Sequence, residues 1–186
     1  MSRYLVFFIV SLILLPTPAE TSDPSLQSAI TLSERGTTHQ AALDTGRCIT
    51  VLGGITRMDS TRKEIYLAFT GHEFADGAES IRSTLRRRHV KASFFFTGDF
   101  YRNPAYGRLI RELNHDGHYL GGHSDKHLLY ASWEKRDSLL VTKQDFLSDL
   151  RSNYATMGRF GIIRNRTRYF MPPFEWYNQS ISNWCR

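Results

Sequence analysis

Two histidines, His123 and His127, stand four positions apart in the segment GGHSDKH, directly after a pair of glycines. Neutral imidazoles are common ligands of zinc and related cations, and two of them can share one ion when a carboxylate or water completes the coordination. Histidines also occur at this spacing in ordinary solvated loops. The preceding glycines allow close approach of the backbone, and together with the position of the loop after a predicted strand they favour a metal site.

Further imidazole and carboxylate groups follow other predicted strands. The segments TGHE, TGDF and PPFEW carry His72, Glu73, Asp99 and Glu175. In parallel α/β folds the chemistry lies beyond the carboxyl ends of the strands. We therefore expect these side chains to meet the two histidines and to supply metal ligands and acid–base groups.

Short apolar segments alternate with amphipathic ones along the chain. The predicted strands lie in EIYLAFT, KASFFFTG, HYLGG and RYFMPPF. The predicted helices lie in DGAESIRSTLRRRH, PAYGRLIRELNHDG and TKQDFLSDLRSNYATMGRFG. A last helix begins in NQSISNW, with Asn178 as its N-cap. This order predicts an α/β fold of parallel strands covered by helices.

The N-terminus predicts export. Residues 1–19 combine a basic start, an apolar run from Tyr4 to Leu15 and a small-residue segment, PTPAE, which is typical of a secretory signal peptide. The run is too short to span a hydrocarbon core of about 30 Å comfortably, although an uncleaved anchor remains open. We expect a linker or N-terminal arm over residues 20–58 and one domain over residues 59–186. The protein would then be periplasmic or extracellular, with no membrane span after signal removal.

Export also affects how the charge and the cysteines are interpreted. The 186 residues carry a formal net charge of +6, concentrated in LRRRH and RNRTR. Such clusters can bind nucleic acid, but in an exported protein an anionic cell-envelope polymer is the better partner, and we predict no nucleic acid. Cys48 and Cys185 are eligible to pair in an oxidising compartment, and their pairing stays open.

Taken together, the ordered segments over residues 60–186 resemble the polysaccharide deacetylase (NodB-homology) family of carbohydrate esterases. The matching stretches are IYLAFTGHE, VKASFFFTG, GHYLGGHSDKH and YFMPPF. The resemblance implies a partial, distorted β/α barrel with one divalent metal, most often zinc, on an acidic residue and on His123 and His127. It also implies an acetylated glycan as substrate, cleaved at an N- or O-acetyl group with the metal polarising the carbonyl and a neighbouring base.

The first motif departs from the family pattern. The sequence TGHE stands where relatives have T-F-D-D, which places His72 at the base position and Glu73 at the ligand position. Asp76 is a reserve catalytic carboxylate. An alternative alignment on FADG makes Asp76 the ligand instead.

The third motif departs as well. Met171 stands where the family has the arginine that pairs with the base. The two changes are coherent, because a buried arginine left without its carboxylate would be costly. Glu175 becomes a candidate substitute carboxylate, and Ser124 is expected to orient the histidine loop. Substrate contacts are expected from Ser124 and from the segment after the last strand, at Pro172, Phe174 and Trp176.

The chain stops at SISNWCR, inside a predicted helix. The resemblance implies later strands and a late histidine that protonates the leaving amine, and neither has a counterpart here. We therefore expect an incomplete domain, which leaves two functions open. The first is a metal-dependent deacetylase, and the alternative is a catalytically impaired glycan-binding relative that keeps the metal site.

Overall fold

The computed structural model describes residues 13–14 and 47–186. The predicted signal peptide, apart from residues 13–14, and residues 20–46 of the predicted linker lie outside the described residues. Within the described part of the chain, no helix is long and apolar enough to cross a lipid bilayer.

A central sheet of five strands organises the domain. Four strands are parallel neighbours, in the spatial order β7, β6, β5, β4, and a two-residue strand, β1, pairs antiparallel with β7. The sheet is therefore open in the described residues, with β1 and β4 at its edges. Its strands are β1 (Ile13–Leu14), β4 (Ala68–Gly71), β5 (Ser93–Phe96), β6 (Tyr119–Gly122) and β7 (Tyr169–Phe170).

Helices connect the parallel strands and confirm the predicted α/β fold. The helix α4 opens with a capping box in which Thr142 and Asp145 bond each other's backbone N–H groups. Asn178 caps α5, as predicted, by accepting the N–H of Ile181. The helices are α1 (Ala78–Arg87), α2 (Gly98–Arg102), α3 (Gly107–His115), α4 (Lys143–Gly158) and α5 (Gln179–Cys185), with 3-10 turns at Pro104–Tyr106, Arg164–Arg166 and Pro173–Glu175.

Two features differ from the sequence-based expectation. The segment predicted as the first strand begins at Glu64, whereas β4 begins only at Ala68. Ile65, in the part that is not a strand, is 89% exposed. The helix α2 was not predicted, because a glycine such as Gly98 after an apolar run indicates the end of a strand and not the start of a helix. Thr97 begins this helix by accepting the N–H of Phe100.

A hairpin precedes the sheet, within the range predicted as a linker. It consists of β2 (Ile49–Val51) and β3 (Gly54–Arg57), paired antiparallel. Ile55 of β3 is buried in a small cluster with Phe95 and Met171. The hairpin therefore packs on the domain core and covers one face of the sheet.

The central strand β5 is buried on both faces. Phe94 and Phe96 face the main core, whereas Phe95 faces the cluster that contains Ile55. Alternate residues of a strand point to opposite faces, so the unbroken FFF run is the pattern of a strand covered on both sides.

The two glycines that end β6 are required by packing. Gly121 and Gly122 lie opposite Phe95 and Phe96 in the parallel register. A Cβ on Gly121 would stand 2.6 Å from the ring of Phe95, and one on Gly122 would stand 2.5 Å from Asn153 Oδ1. Both distances are too short for a Cβ atom, so the packing requires glycine at these two positions.

We predict that Gly122→Ala lowers the free energy of unfolding by about 1–3 kcal/mol. Asn153 is fully buried and its Nδ2 donates to the carbonyl of Phe96, so the side chain cannot move away from a new methyl group. Gly158→Ala is the matched control, because nothing lies within 4 Å of its added Cβ. Urea unfolding measures both, and equal stability of the two variants would contradict this packing argument.

Candidate functional site

Three imidazoles lie together at the carboxyl edge of the sheet. His72 follows β4, His123 follows β6, and His127 lies four residues further along the same loop. The ring centroids of His72 and His127 are 4.7 Å apart, and those of His123 and His127 are 5.0 Å apart. The parallel topology thus brings together side chains from strands that are not adjacent in the sheet.

The ring orientations separate the roles of these imidazoles. The nitrogen lone pairs of an imidazole lie in the plane of its ring. The rings of His72 and His127 are nearly parallel, at 11°, so their lone pairs cannot meet at one ion. The rings of His123 and His127 meet at 65°, which allows their lone pairs to converge. This geometry favours His123 and His127 as a ligand pair, with His72 beside them.

His123 is fixed from the neighbouring strand. Its Nδ1 lies 2.8 Å from the backbone carbonyl of Met171, which can only accept a hydrogen bond. Nδ1 therefore carries the proton, and Nε2 presents a free lone pair. Burial lowers the pKa of His123 to about 3, although the bond to the Met171 carbonyl opposes this shift.

His127 is less buried but also neutral. Burial, reinforced by the neighbouring His72 and opposed by Glu73, lowers its pKa to about 4. A cation needs the neutral form of a histidine. Both members of the pair are therefore ready for a metal ion at physiological pH without losing a proton.

A buried carboxylate on α4 holds the loop that carries the pair. Asp149 accepts the backbone N–H groups of Asp125 at 3.0 Å and of Lys126 at 3.1 Å, and the hydroxyl of Tyr130 at 2.8 Å. These two N–H groups lie beyond the end of β6 and have no neighbouring strand to bond. A buried N–H without a partner is costly. Asp149 is therefore a positioning residue for the histidine loop.

Ser124 and Asp125 anchor the same loop from within. Ser124 Oγ accepts the N–H of Leu128 at 3.3 Å. Ser124 is fully buried, so we assign it to loop geometry and not to contact with substrate. Asp125 forms a bidentate ion pair with Arg102: the two terminal guanidinium nitrogens lie 2.7 and 2.9 Å from the two carboxylate oxygens. A Cβ on Gly98 would overlap the Asp125 carboxylate.

Backbone strain is concentrated here. Six non-glycine residues have positive φ among the residues that the structure describes, and four of them lie in the histidine loop or in the segment after β7. Such conformations cost on the order of 1–3 kcal/mol each and persist where the surrounding structure enforces them. The four are Ser124, His127, Phe174 and Glu175.

The acidic residues of the first motif lie at the rim. Glu73 Oε1 is 3.7 Å from His72 Nε2, and its side chain is 64% exposed. Asp76 is exposed and is not among the groups that shift the pKa of His123 or His127. Over residues 47–186, no three His, Cys, Asp or Glu side chains are arranged to hold a metal ion. Glu73 would have to turn towards the rings to become the third ligand.

His72 is oriented by the residue that ends β5. Its Nδ1 lies 3.2 Å from Oγ1 of Thr97, which is fully buried and caps α2. The residue after His72 is held by Tyr106, whose hydroxyl donates to the carbonyl of Glu73 at 2.7 Å. His72 is thus fixed beside His127 with its ring aligned.

The segment after β7 supplies the opposite side of the site. Met171 points into the core with Ile55 and Phe95, so only its carbonyl serves the site. Burial raises the pKa of Glu175, whose carboxylate makes no hydrogen bond with the described residues. Three neighbours differ in exposure: Pro172 is buried, Trp176 is half-buried and Phe174 is exposed, with its ring 4.5 Å from that of His127.

Sequence reasoning missed Asp149 and Thr97. A signal existed for Asp149, because it lies on the helix face defined by Phe146 and Leu150, and a carboxylate on a buried stripe needs a partner. Thr97 carried no comparable signal, since its contact with His72 joins two strands that are distant in the chain.

We predict that metal-free protein loses stability as the pH falls from 7 to 5. The pKa of His123 in the folded state, about 3, lies below its ordinary value of 6.5. Between pH 7 and 5 the unfolded chain therefore binds a proton at this residue and the folded chain does not, which favours unfolding. The loss due to His123 is about 2 kcal/mol, and that due to the less buried His127 is smaller.

Urea unfolding at several pH values in the presence of a chelator measures this loss. His123→Asn should reduce the dependence on pH, whereas His115→Ala should not, because the His115 side chain is 90% exposed. A His123→Asn variant with the wild-type pH dependence would contradict the assignment.

Comparison with known proteins places the chain in a family. The sequence pattern named polysaccharide deacetylase matches residues 57–185. No curated protein matches the chain. Among solved structures, a family 4 carbohydrate esterase from Bacillus anthracis is 23% identical with a TM-score of 0.57, over 68% of this chain and 56% of that one. PdaA of Bacillus subtilis, also a family 4 carbohydrate esterase, is 22% identical with a TM-score of 0.56, over 67% of this chain and 49% of that one.

A third similar structure is a mutant of a family 4 pseudoenzyme from Bacillus anthracis with restored enzymatic activity. It is 17% identical with a TM-score of 0.59, over 70% of this chain and 43% of that one. The chain thus spans about half the length of these structures, whose low identities show the fold alone. The family pattern, in contrast, covers most of the chain, and the chain belongs to the polysaccharide deacetylase family.

Proposed function

We propose that the chain is an exported, metal-dependent hydrolase that removes acetyl groups from an N- or O-acetylated polysaccharide. The observation that carries this proposal is the pair of neutral imidazoles, His123 and His127, whose rings meet at 65° in a member of this family. A similar structure is a peptidoglycan N-acetylglucosamine deacetylase, which supports an acetylated cell-envelope glycan as substrate. Export rests on the signal-peptide pattern of residues 1–19.

The donor atoms fit a divalent metal, and zinc in particular. His123 offers Nε2 because its Nδ1 is bonded to the Met171 carbonyl. His127 offers a neutral ring, and Glu73, at the rim, would supply the carboxylate after turning towards the rings. Two imidazoles and one carboxylate form a common zinc donor set that leaves one position open. Zinc bound there would supply Lewis acidity towards the acyl oxygen of the substrate.

The chain's own groups can handle the protons of such a hydrolysis. His72 is oriented by Thr97, and its lone pairs do not converge with those of His127, so it is available to take a proton from the attacking water. Glu175, in the segment after β7, is the candidate acid, and burial raises its pKa. A carboxyl group that holds its proton closer to neutral pH is suited to protonate the leaving nitrogen or oxygen.

The test is zinc uptake and acetate release by the His123→Ala, His127→Ala double variant. We expect wild type to bind one zinc ion and the double variant to lose affinity by roughly 100-fold or more, since both nitrogen donors are gone. Acetate release from acetylated chitooligosaccharides and acetylated xylan should disappear with the zinc.

His115→Ala is the matched control, because it removes an exposed imidazole on α3. It should bind zinc and release acetate as wild type does. Unchanged zinc affinity in the double variant would contradict the proposed metal site, whatever its activity.

A second candidate function is a glycan-binding relative without turnover. The base position holds His72, and Met171, where the family has arginine, has its side chain in the core. The observation that supports this second function is the similarity of the chain to a family 4 pseudoenzyme, which is 15% identical with a TM-score of 0.52. Wild-type protein that binds zinc and acetylated glycan but releases no acetate would favour this function.

A further inference from the structure

Two large aromatic side chains are exposed next to the histidines. Phe174 is 45% exposed, and its ring lies 4.5 Å from that of His127. Trp133 is 55% exposed, and its ring lies 5.7 Å from that of Phe174. The two rings meet edge to face at 74°, so two exposed aromatic faces adjoin at an angle beside the imidazole cluster. An exposed tryptophan leaves a large apolar area in water, which indicates a surface that a ligand covers.

Trp133 sits on a loop that is closed by backbone hydrogen bonds. The N–H of Leu140 donates to the carbonyl of Tyr130, and the N–H of Ser132 donates to that of Ser138, both at 2.9 Å. A bridge between Ala131 and Leu139 lies between these bonds. The backbone that carries Trp133 is therefore held in place before any ligand arrives, which lowers the entropic cost of binding.

Trp176 supports this ring from behind. Its ring lies 5.2 Å from that of Trp133 at an angle of 30°, and the Arg136 guanidinium is 4.3 Å from its centroid. Its Nε1 donates to the carbonyl of Ser132 at 3.1 Å. Because its N–H and one face are already used, Trp176 positions Trp133 and is not itself the main substrate contact, contrary to the sequence-based expectation.

The backbone around Phe174 turns its ring outward. Phe174 has φ of 60° and Glu175 has φ of 52°, a left-handed conformation that is unfavourable for both residues. The preceding Pro173 is buried. The chain thus accepts strain at the two residues that keep the phenyl ring exposed and beside His127.

We propose that the exposed face of Trp133 is a stacking platform for a second pyranose ring of the substrate, with Phe174 lining the surface between this platform and His127. This inference rests on the proposed function, in which the acetyl group of the first ring faces the histidines. The apolar faces of a pyranose stack on flat aromatic rings, while its hydroxyl groups remain in water. A polymer with one unit at His127 must place its neighbour over the adjoining surface, and that surface is this aromatic pair.

The platform therefore selects a glycan chain over a single acetylated sugar. The test is isothermal titration calorimetry of the full-length protein, with and without zinc. The probes are N-acetylglucosamine, tetra-N-acetylchitotetraose and acetylated xylotetraose. Wild type should bind one of the tetramers roughly tenfold more tightly than the monosaccharide, the difference expected from covering a tryptophan ring.

Trp133→Ala should abolish this preference for the tetramer and leave binding of the monosaccharide unchanged. Trp133→Phe should keep most of the preference, because it keeps a flat ring. Tyr66→Ala is the matched control: Tyr66 is 46% exposed and lies before β4, at the opposite end of the strand from His72. It should behave as wild type.

A tetramer preference that survives in Trp133→Ala overturns the platform, and so does a wild type that prefers neither tetramer. The binding result is independent of turnover. A Trp133-dependent preference without acetate release supports the platform and contradicts only the deacetylase. Acetate release without any effect of Trp133 on chain-length preference contradicts only the platform.

Discussion

The loop from His123 to His127 has to hold two imidazoles at a fixed angle after its strand has ended and its backbone has left the sheet. Asp149 satisfies the loop N–H groups of Asp125 and Lys126 from α4, and the Met171 carbonyl fixes the His123 ring from the other side. Without this anchorage the strained loop backbone would relax. The neutral charge of the rings and their mutual angle both depend on it.

The departures from the family pattern form one consistent arrangement. Met171 fills a small apolar cluster with Ile55, so the β2–β3 hairpin occupies the core beside the position where the family has arginine. His72 then has no cationic partner to balance and is oriented by the Thr97 hydroxyl. In the predicted alignment the chain thus has apolar packing and one hydrogen bond where the family has an ion pair, an exchange that is often favourable in a buried setting.

The sequence predicted what depends on local pattern. Apolar runs marked the strands, helical periodicity marked α4, and Asn178 marked the start of α5. The gathering of His72 with the other two histidines followed from parallel topology. The role of Trp133 could not be predicted, because it depends on partners far away in the chain, whereas the buried stripe of α4 carried a signal for Asp149 without indicating which loop it holds. The hairpin was missed because its single buried apolar side chain, Ile55, gives no periodic signal.

The central claim is that His123 and His127 share one cation through ring nitrogens that this loop aims at a common point. The most direct measurement is a crystal structure of the zinc-loaded protein with anomalous data at the zinc edge. The account predicts a single zinc peak about 2.0–2.1 Å from Nε2 of His123 and from a ring nitrogen of His127, with the Met171 carbonyl still bonded to Nδ1 of His123. A zinc ion bound elsewhere, or no ion between these two rings at saturating zinc, would contradict it.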